Sequence, residues 1–120
     1  MKYFTDAELV CKCGRLDCDA PKSVKPDLAR LLDALREKVG HALFVNSGLR
    51  CSYWNERQGG KPNSEHLSGE GADLHAPTPQ DADEILKTSY EVGIRRRGLG
   101  GNFVHIGVSK TLPQGVTWTY

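Results

Sequence analysis

The stretch Ser64-Glu65-His66-Leu67-Ser68-Gly69-Glu70-Gly71-Ala72-Asp73 places a histidine and an aspartate seven residues apart. On one continuous helix this spacing would align the two side chains, but Gly69 and Gly71 each cost a helix about 1 kcal/mol. We therefore expect a loop that carries His66 and turns back through small residues onto a strand that carries Asp73. An imidazole and a carboxylate brought together in this way are typical ligands of a metal ion.

A third metal ligand is available farther along the chain. The run Phe103-Val104-His105-Ile106-Gly107-Val108 has the composition of a strand, and His105 lies within it. Two imidazoles and one carboxylate would leave one coordination position of a zinc ion open, as in catalytic zinc sites. Such an ion lowers the pKa of bound water toward about 7 and polarises a peptide carbonyl. We therefore predict a zinc site formed by His66, Asp73 and His105.

The elements around these residues predict an α+β domain in which helices pack against an antiparallel sheet. Leucines at helical spacing indicate a helix that begins at Pro26 and stops at Gly40. A second helix should begin after the Thr78 cap and run to about Val92, and a short helix should span 52–58. Apolar runs indicate strands at residues 42–45, 71–76, 103–108 and 116–120, with the last two paired as a hairpin.

Composition excludes several classes of function. The 120 residues suit one compact domain, and 16 Lys and Arg against 15 Asp and Glu leave a net charge of +1. The run Arg95–Arg97 is therefore interpreted as a solvated loop face, not as a nucleic-acid site. No apolar run approaches the roughly 20 residues that span a bilayer, and residues 1–6 lack the apolar core of a signal peptide. We expect a cytoplasmic monomer that neither binds nucleic acid nor inserts into a membrane.

Residues 1–25 are expected to form an irregular, cysteine-containing arm that precedes the main domain, residues 26–120. A cytoplasmic chain keeps its thiols reduced, which makes disulfides the least favoured state of the cysteines. Their spacing suits a structural zinc site that would pin the arm to the domain, with ligands Cys11, Cys13, Cys18 and Cys51. Unligated thiols are the alternative.

Several short motifs together resemble the zinc D-Ala-D-Ala carboxypeptidases and related M15-type peptidoglycan peptidases, including phage endolysins, which share a fold with the Hedgehog signalling domain. The resemblance covers nearly the whole chain and rests on Ser47-Gly48-Leu49-Arg50, Asn55 with Gly59-Gly60, the stretch from Ser64 to Asp73, Phe103-Val104-His105, and Trp118.

The resemblance also implies roles for individual residues. It implies that His66, Asp73 and His105 bind zinc within a peptidase domain. It further implies that Arg50 stabilises the oxyanion of the tetrahedral intermediate, a role that suits a permanently charged guanidinium. Ser64 would contact the substrate, and Trp118 would line the substrate groove.

One departure from this family concerns the general base. Many members carry an acidic residue close to the last histidine, often two positions after it, but this chain has Gly107 there and no Asp or Glu after Glu91. A base must then come from elsewhere; the candidates are Glu65, Glu70, Glu91 and His75. His75 is also a rival metal ligand, because on a strand it would share a face with Asp73.

The ligand pattern predicts a zinc enzyme, and the resemblance implies a metallopeptidase that hydrolyses peptide bonds in peptidoglycan stem peptides, as a D,D-carboxypeptidase or an endopeptidase. The alternative is a non-catalytic zinc module of the same fold that binds peptidoglycan or another protein, which the missing carboxylate favours. Without a signal peptide, the chain would suit a phage enzyme that acts on the cell wall after release by a separate lysis protein.

Overall fold

The computed structural model describes residues 1–120 and is an α+β domain with one five-stranded sheet. The strands lie in the order β1-β2-β4-β3-β5. In chain order the elements are α1 (Asp6–Leu9), α2 (Pro26–Val39), β1 (Val45–Ser47), α3 (Ser52–Arg57), α4 (Glu65–Ser68), β2 (Gly71–His75), α5 (Pro79–Glu91), β3 (Arg96–Leu99), β4 (Phe103–Gly107) and β5 (Val116–Thr119).

The sheet is mixed, which corrects the prediction of a purely antiparallel sheet and of a final hairpin. β4 pairs with β2 on one side and with β3 on the other, both antiparallel, so neither of its edges is free. β5 therefore adds beyond β3 and runs parallel to it. Because β4 ends where β5 begins, at the same end of the sheet, the connection 108–115 has to cross only one strand.

The two long helices cover one face of the sheet. α2 begins with Pro26 in its first turn and ends at Gly40 in the left-handed conformation, as predicted. The second predicted helix is also confirmed, with Thr78 accepting a hydrogen bond from the backbone N–H of Asp81 at its start. Alternate strand residues pack against these helices and form the core with the leucines of α2; those on the central strands are Ala72, Leu74, Val104 and Ile106. The opposite face of the sheet carries the polar site.

Three local expectations were wrong. The first strand spans Val45–Ser47, not 42–45, since its bounds follow the pairing with β2 and not the apolar run. His66 lies in the single helical turn Glu65–Ser68 instead of a loop, because the helix-breaking glycines begin only after it. The arginine-rich run contains strand β3, whose backbone is paired on both sides, and this pairing outweighs its low strand propensity.

The cysteine-containing N-terminal residues 1–25 pack onto the rest of the chain. Within them the structure adds the short helix α1, capped by Thr5. Phe4 and Leu9 are buried in the same hydrophobic core as the leucines of α2. No helix in the structure combines the length and the apolar character that crossing a bilayer requires.

Candidate metal centre

The site is built on one row of residues that crosses the whole sheet. In register, Ser47 lies beside Asp73, Asp73 beside His105, His105 beside Gly98, and Gly98 beside Trp118. Residues that pair across strands share a face of the sheet, so these side chains all project away from the helices. The row brings together two of the predicted ligands from β2 and β4.

His66 reaches this row from the helical turn α4. The Ser64 hydroxyl caps the turn by accepting a hydrogen bond from the backbone N–H of His66. Gly69 ends the turn at φ +76°, a left-handed conformation that glycine adopts without strain and that sends the chain into β2. On the ring itself, Nδ1 of His66 lies 2.6 Å from the carbonyl oxygen of Gly48. That contact directs the other ring nitrogen, Nε2, toward Asp73.

Three ligand atoms converge on one point. Nε2 of His66 lies 3.2 Å from Oδ1 of Asp73, and Nδ1 of His105 lies 2.8 Å from the same oxygen. All three atoms are within 4.8 Å of one another, and the residues are only 3%, 6% and 3% exposed. The structure thus brings together His66, Asp73 and His105, as the sequence predicted.

The hydrogen-bond pattern fits a metal ion at this point. Donation from Nδ1 of His66 to the Gly48 carbonyl leaves Nε2 as an acceptor, so two acceptors face each other where Nε2 approaches Oδ1 of Asp73. Neighbouring acceptors of this kind are stabilised by a cation between them. Two imidazoles and a carboxylate are also the ligand types that zinc prefers.

The pKa shifts of the three residues also fit a metal ion at this point. Burial lowers the pKa of His66 below its usual 6.5, so its imidazole is neutral at pH 7. Burial alone would raise the pKa of Asp73, but hydrogen bonds with His105 and His66 outweigh it and hold that pKa well below its usual range. Burial also opposes charge on His105, yet hydrogen bonds to Asp73 and Glu65 raise its pKa. The carboxylate of Asp73 is therefore ionised and available as a ligand.

Arg50 supports the centre from the segment after β1. Its guanidinium donates to Oδ2 of Asp73 at 3.3 Å, to Oγ of Ser47 at 3.0 Å and to Oδ1 of Asn55 at 3.2 Å. Asn55 is itself held by donation to the carbonyl of Lys61. Burial lowers the pKa of Arg50, although a guanidinium remains charged at neutral pH. Arg50 thus lies beside Asp73, one of the candidate metal ligands, and two of its five guanidinium N–H groups make no hydrogen bond within the protein.

Glu65 occupies the outer edge of the His105 ring. Its Oε1 accepts from Nε2 of His105 at 3.0 Å, and its Oε2 accepts from the backbone N–H of Ser109 at 2.9 Å. Nε of Arg96 lies 3.0 Å from Oε2, an ion pair whose N–H is not aligned for a hydrogen bond. The two nitrogens of an imidazole point in divergent directions, so this carboxylate lies on the side of the ring away from Asp73. Glu65 is placed to orient the ring of His105, one of the candidate metal ligands.

Gly107 makes room for this carboxylate. A Cβ atom at position 107 would overlap both carboxylate oxygens of Glu65. The side-chain position two residues after His105 on β4 is therefore filled by a carboxylate from α4 instead of one from the strand itself. Glu65 thus occupies the space of the acidic side chain that β4 lacks, but its carboxylate faces the ring of His105.

The other candidate bases lie apart from the ligand atoms. Glu91 pairs with Lys38 at the end of α5, a helix that packs on the opposite face of the sheet. Glu70 accepts a hydrogen bond from the Ser68 hydroxyl. His75 is outside the cluster of ligand atoms, lies two residues from Asp73 on the same face of β2, and makes no side-chain hydrogen bond.

Trp118 lies at the edge of the site. Its ring centroid is 5.6 Å from that of His105, and the guanidinium of Arg96 packs against the indole at 4.9 Å. This approach is possible because Gly98 lies between the two strands, where a Cβ atom would come within 2.5 Å of Nε1 of Trp118. The side chains of Trp118 and Tyr120 flank this edge of the polar face.

Sequence reasoning missed several supporting groups. Arg96 was interpreted as a solvated loop residue, but it is 8% exposed and contacts Glu65. Strand alternation around Gly98 would have placed it on the polar face. The carbonyl of Gly48 and the N–H of Ser109 are backbone groups, and no side-chain pattern identifies such contacts.

Residues 2–107 match a family model described as Peptidase M15. No curated protein matches the sequence significantly. The matched segment includes all three ligands, Arg50 and Glu65. The chain therefore belongs to the peptidase M15 family of zinc-dependent metallopeptidases.

Proposed function

We propose that this protein hydrolyses peptide bonds in peptidoglycan stem peptides, as a D,D-carboxypeptidase or an endopeptidase, with zinc bound by His66, Asp73 and His105. The observation that carries the proposal is the convergence of three potential ligand atoms beside a buried arginine on the polar face of the sheet. Family membership supports peptidase chemistry, and the resemblance described above supports the peptidoglycan substrate.

The ligands would be held in place by their neighbours. When bound by these residues, zinc would supply Lewis-acid chemistry toward the peptide carbonyl and the attacking water. The Gly48 carbonyl orients the ring of His66, and Glu65 orients that of His105. Arg50 holds Asp73 from the other side. Such supporting contacts keep ligand rings and carboxylates in a fixed geometry.

Arg50 is the residue that would stabilise negative charge on the substrate. Its guanidinium makes three hydrogen bonds, all to protein groups, and this leaves two of its five N–H donors without a protein partner. A buried, permanently charged donor beside the scissile carbonyl stabilises the oxyanion of the tetrahedral intermediate or a terminal substrate carboxylate.

His75 is the proton acceptor that we favour. Of the four candidate bases, it is the one on the site face of the sheet whose side chain has no hydrogen-bond partner. A ring nitrogen of His75 would accept the proton of the attacking water and pass it to the leaving amine. Glu65 is already occupied by His105, Ser109 and Arg96, so we assign it a positioning role.

Trp118 and Ser64 would contact the peptide. Trp118 borders the ligand face beside His105, where an indole provides an apolar wall for an extended substrate. The Ser64 hydroxyl already caps α4, and it lies at the partly exposed start of that turn.

A digest of purified peptidoglycan tests the proposal. Zinc-loaded protein should release stem-peptide fragments or terminal D-alanine, which mass spectrometry identifies, and the released product distinguishes carboxypeptidase from endopeptidase. His66→Ala and Asp73→Ala should lose this activity together with one equivalent of zinc. His41→Ala is the matched control, because His41 is exposed and pairs with Glu84 outside the site.

The same experiment tests the alternative of a non-catalytic zinc module. If the folded, zinc-loaded protein releases nothing above a chelated sample, the peptidase proposal is wrong. Sedimentation of the protein with intact peptidoglycan would then identify a binding module. The observation that favours this alternative is that no acidic side chain other than the candidate ligand Asp73 belongs to the cluster of ligand atoms, and that Glu65 contacts the far side of the His105 ring.

A further inference from the structure

A second cluster of potential metal ligands lies outside the His66, Asp73 and His105 centre. The sulfur atoms of its four cysteines all lie within 4.8 Å of one another; the residues are Cys11, Cys13, Cys18 and Cys51. Three come from the N-terminal arm and one from the residue that caps α3. In a tetrahedral site with Zn–S bonds of about 2.3 Å, sulfur atoms are about 3.8 Å apart. The spacing of the cluster is therefore compatible with a four-thiolate zinc site.

Backbone N–H groups point at these sulfur atoms. The N–H of Cys51 donates to Sγ of Cys11 at 3.3 Å, and the N–H of Trp54 donates to Sγ of Cys51 at 3.4 Å. The N–H of Arg15 donates to Sγ of Cys13 at 3.4 Å, across a turn in which Gly14 has φ +68°. Donors directed at sulfur stabilise the thiolate, which is the form that binds zinc.

The four cysteine sulfur atoms form one cluster and not two separate pairs. All four cysteines are free thiols in the structure, and each sulfur is near the other three. Two disulfides would separate the sulfur atoms into two bonded couples, whereas one ion would keep them mutually close. A closed set of four protein ligands is also typical of structural zinc, since it leaves no position for water or substrate.

We propose that Cys11, Cys13, Cys18 and Cys51 bind a structural zinc ion that is separate from the catalytic centre. Binding replaces the four thiol protons with the metal and involves no oxidant. The ion closes the N-terminal arm onto the start of α3. It provides a metal cross-link in a small domain, where such links contribute substantially to folding.

The ion also supports the segment that carries Arg50. Leu9 and Leu49 are joined by a backbone hydrogen bond of 2.8 Å, and a Cβ at Gly48 would come within 2.6 Å of the Leu9 carbonyl oxygen. The arm thus lies directly behind residues 48–51. Because Gly48 also orients His66, release of the arm should loosen both the arginine and the metal ligand.

Metal analysis of the full chain, purified under reducing conditions, tests the proposal. The wild-type protein should hold two equivalents of zinc, and Cys13→Ser and Cys18→Ser should each hold one. His66→Ala should also hold one, and His41→Ala should hold two. Equal zinc content in the wild type and in both cysteine variants would overturn the proposal.

Cobalt substitution of the wild-type chain gives a second readout that does not depend on how a variant folds. Cobalt bound by cysteine thiolates has an intense charge-transfer absorption in the near ultraviolet, which imidazole and carboxylate ligands do not produce. We expect this band in the wild type and in His66→Ala at equal intensity. Its absence from the cobalt-loaded wild type, or the finding of two disulfides in the protein purified under reducing conditions, would overturn the proposal.

Discussion

At the scale of single residues, the most informative relationship is the fit between the side chain of Glu65 and the space left by Gly107. A carboxylate beside the last histidine is supplied by Glu65 of α4, and Gly107 of β4 leaves the space that it fills. The two residues depend on each other. The Glu65 carboxylate fits because Gly107 has no side chain, and Nε2 of the buried His105 ring requires a hydrogen-bond partner.

Glu65→Gln should weaken zinc binding at the His66, Asp73 and His105 centre by about 10- to 100-fold, because it replaces the carboxylate that orients His105 with a neutral amide. Chelator competition on zinc-loaded protein measures this change. Glu70→Gln is the matched control, since Glu70 is a nearby acidic residue whose carboxylate hydrogen-bonds only to the Ser68 hydroxyl. Unchanged affinity in Glu65→Gln would contradict the positioning role.

Gly107→Ala should destabilise the fold by about 1–3 kcal/mol, because the added methyl group overlaps the Glu65 carboxylate in a packed region. Denaturant unfolding measures the free energy of unfolding. Gly101→Ala is the control, since a Cβ there meets nothing within 4 Å. Similar losses of unfolding free energy in the two variants would contradict the role of Gly107 in accommodating the Glu65 carboxylate.

In metal-free protein, the pKa of His105 should lie above 6.5 and should fall in Glu65→Gln, because Asp73 and Glu65 both stabilise the imidazolium. A raised pKa means that this histidine stabilises the folded metal-free chain fully below the unfolded pKa and loses that contribution as pH rises through the folded value. Since zinc binds the neutral ring, zinc affinity should decrease as pH falls. NMR titration of the ring protons measures the pKa, and a value below 6.5 in the wild type would contradict this account.

At the scale of secondary structure elements, strand pairing assembles the site. β2 and β4 contribute Asp73 and His105 from the two strands at the middle of the polar row, and α4 contributes His66 just before β2. β3 contributes Gly98, whose lack of a side chain lets Trp118 from β5 reach across to the histidine. The parallel addition of β5 beyond β3 is therefore part of the site, since a hairpin with β4 would have displaced either β2 or β3 from that strand.

Gly98→Ala should displace Trp118, because the new Cβ would lie 2.5 Å from its Nε1. Loss of an aromatic wall corresponds to about 1 kcal/mol, so we expect KM for a stem peptide to rise about fivefold with zinc content unchanged. Gly101→Ala is again the control, on the neighbouring turn. A kcat defect with normal KM would contradict a role of Trp118 in substrate binding.

At the scale of the whole molecule, a small hydrophobic core is combined with two candidate metal centres. α2 and α5 cover one face of the sheet, and the ligands lie on the other face and on the N-terminal arm. Anything that binds the folded chain and not the unfolded chain stabilises it by mass action. The metal should therefore contribute to folding as well as to chemistry.

Zinc should raise the unfolding temperature in a concentration-dependent manner. At a free concentration 100 times Kd, the expected stabilisation is about 2.7 kcal/mol, which corresponds to about 10 °C for a domain of this size. Calorimetry or fluorescence melting measures the shift. Magnesium is the control ion, since it prefers oxygen ligands and should leave Tm unchanged. An unfolding temperature insensitive to both zinc and chelator would contradict metal binding to the folded state.

The sequence by itself determined the α+β class and the helices that begin at Pro26 and, after the Thr78 cap, at Pro79. It also singled out His66 and Asp73 as candidate metal ligands, whereas His105 was added to them by the resemblance to zinc peptidases. The local features depend on local information: helical spacing, capping residues, and the close sequence separation of His66 and Asp73. Local spacing also singled out the cysteines, although Cys51 is distant from the other three in the chain.

Only the tertiary structure decided the order of the strands, the existence of β3 and the orientation of Glu65. The parallel position of β5 depends on which sheet edge is free, and β3 depends on backbone pairing with two neighbours, so neither is encoded in its own residues. From the sequence, Glu65 was one of four candidate bases. In the fold its carboxylate lies over Gly107 and is hydrogen-bonded to the ring of His105. Contacts between residues forty positions apart are set by packing, and packing acts on the folded chain as a whole.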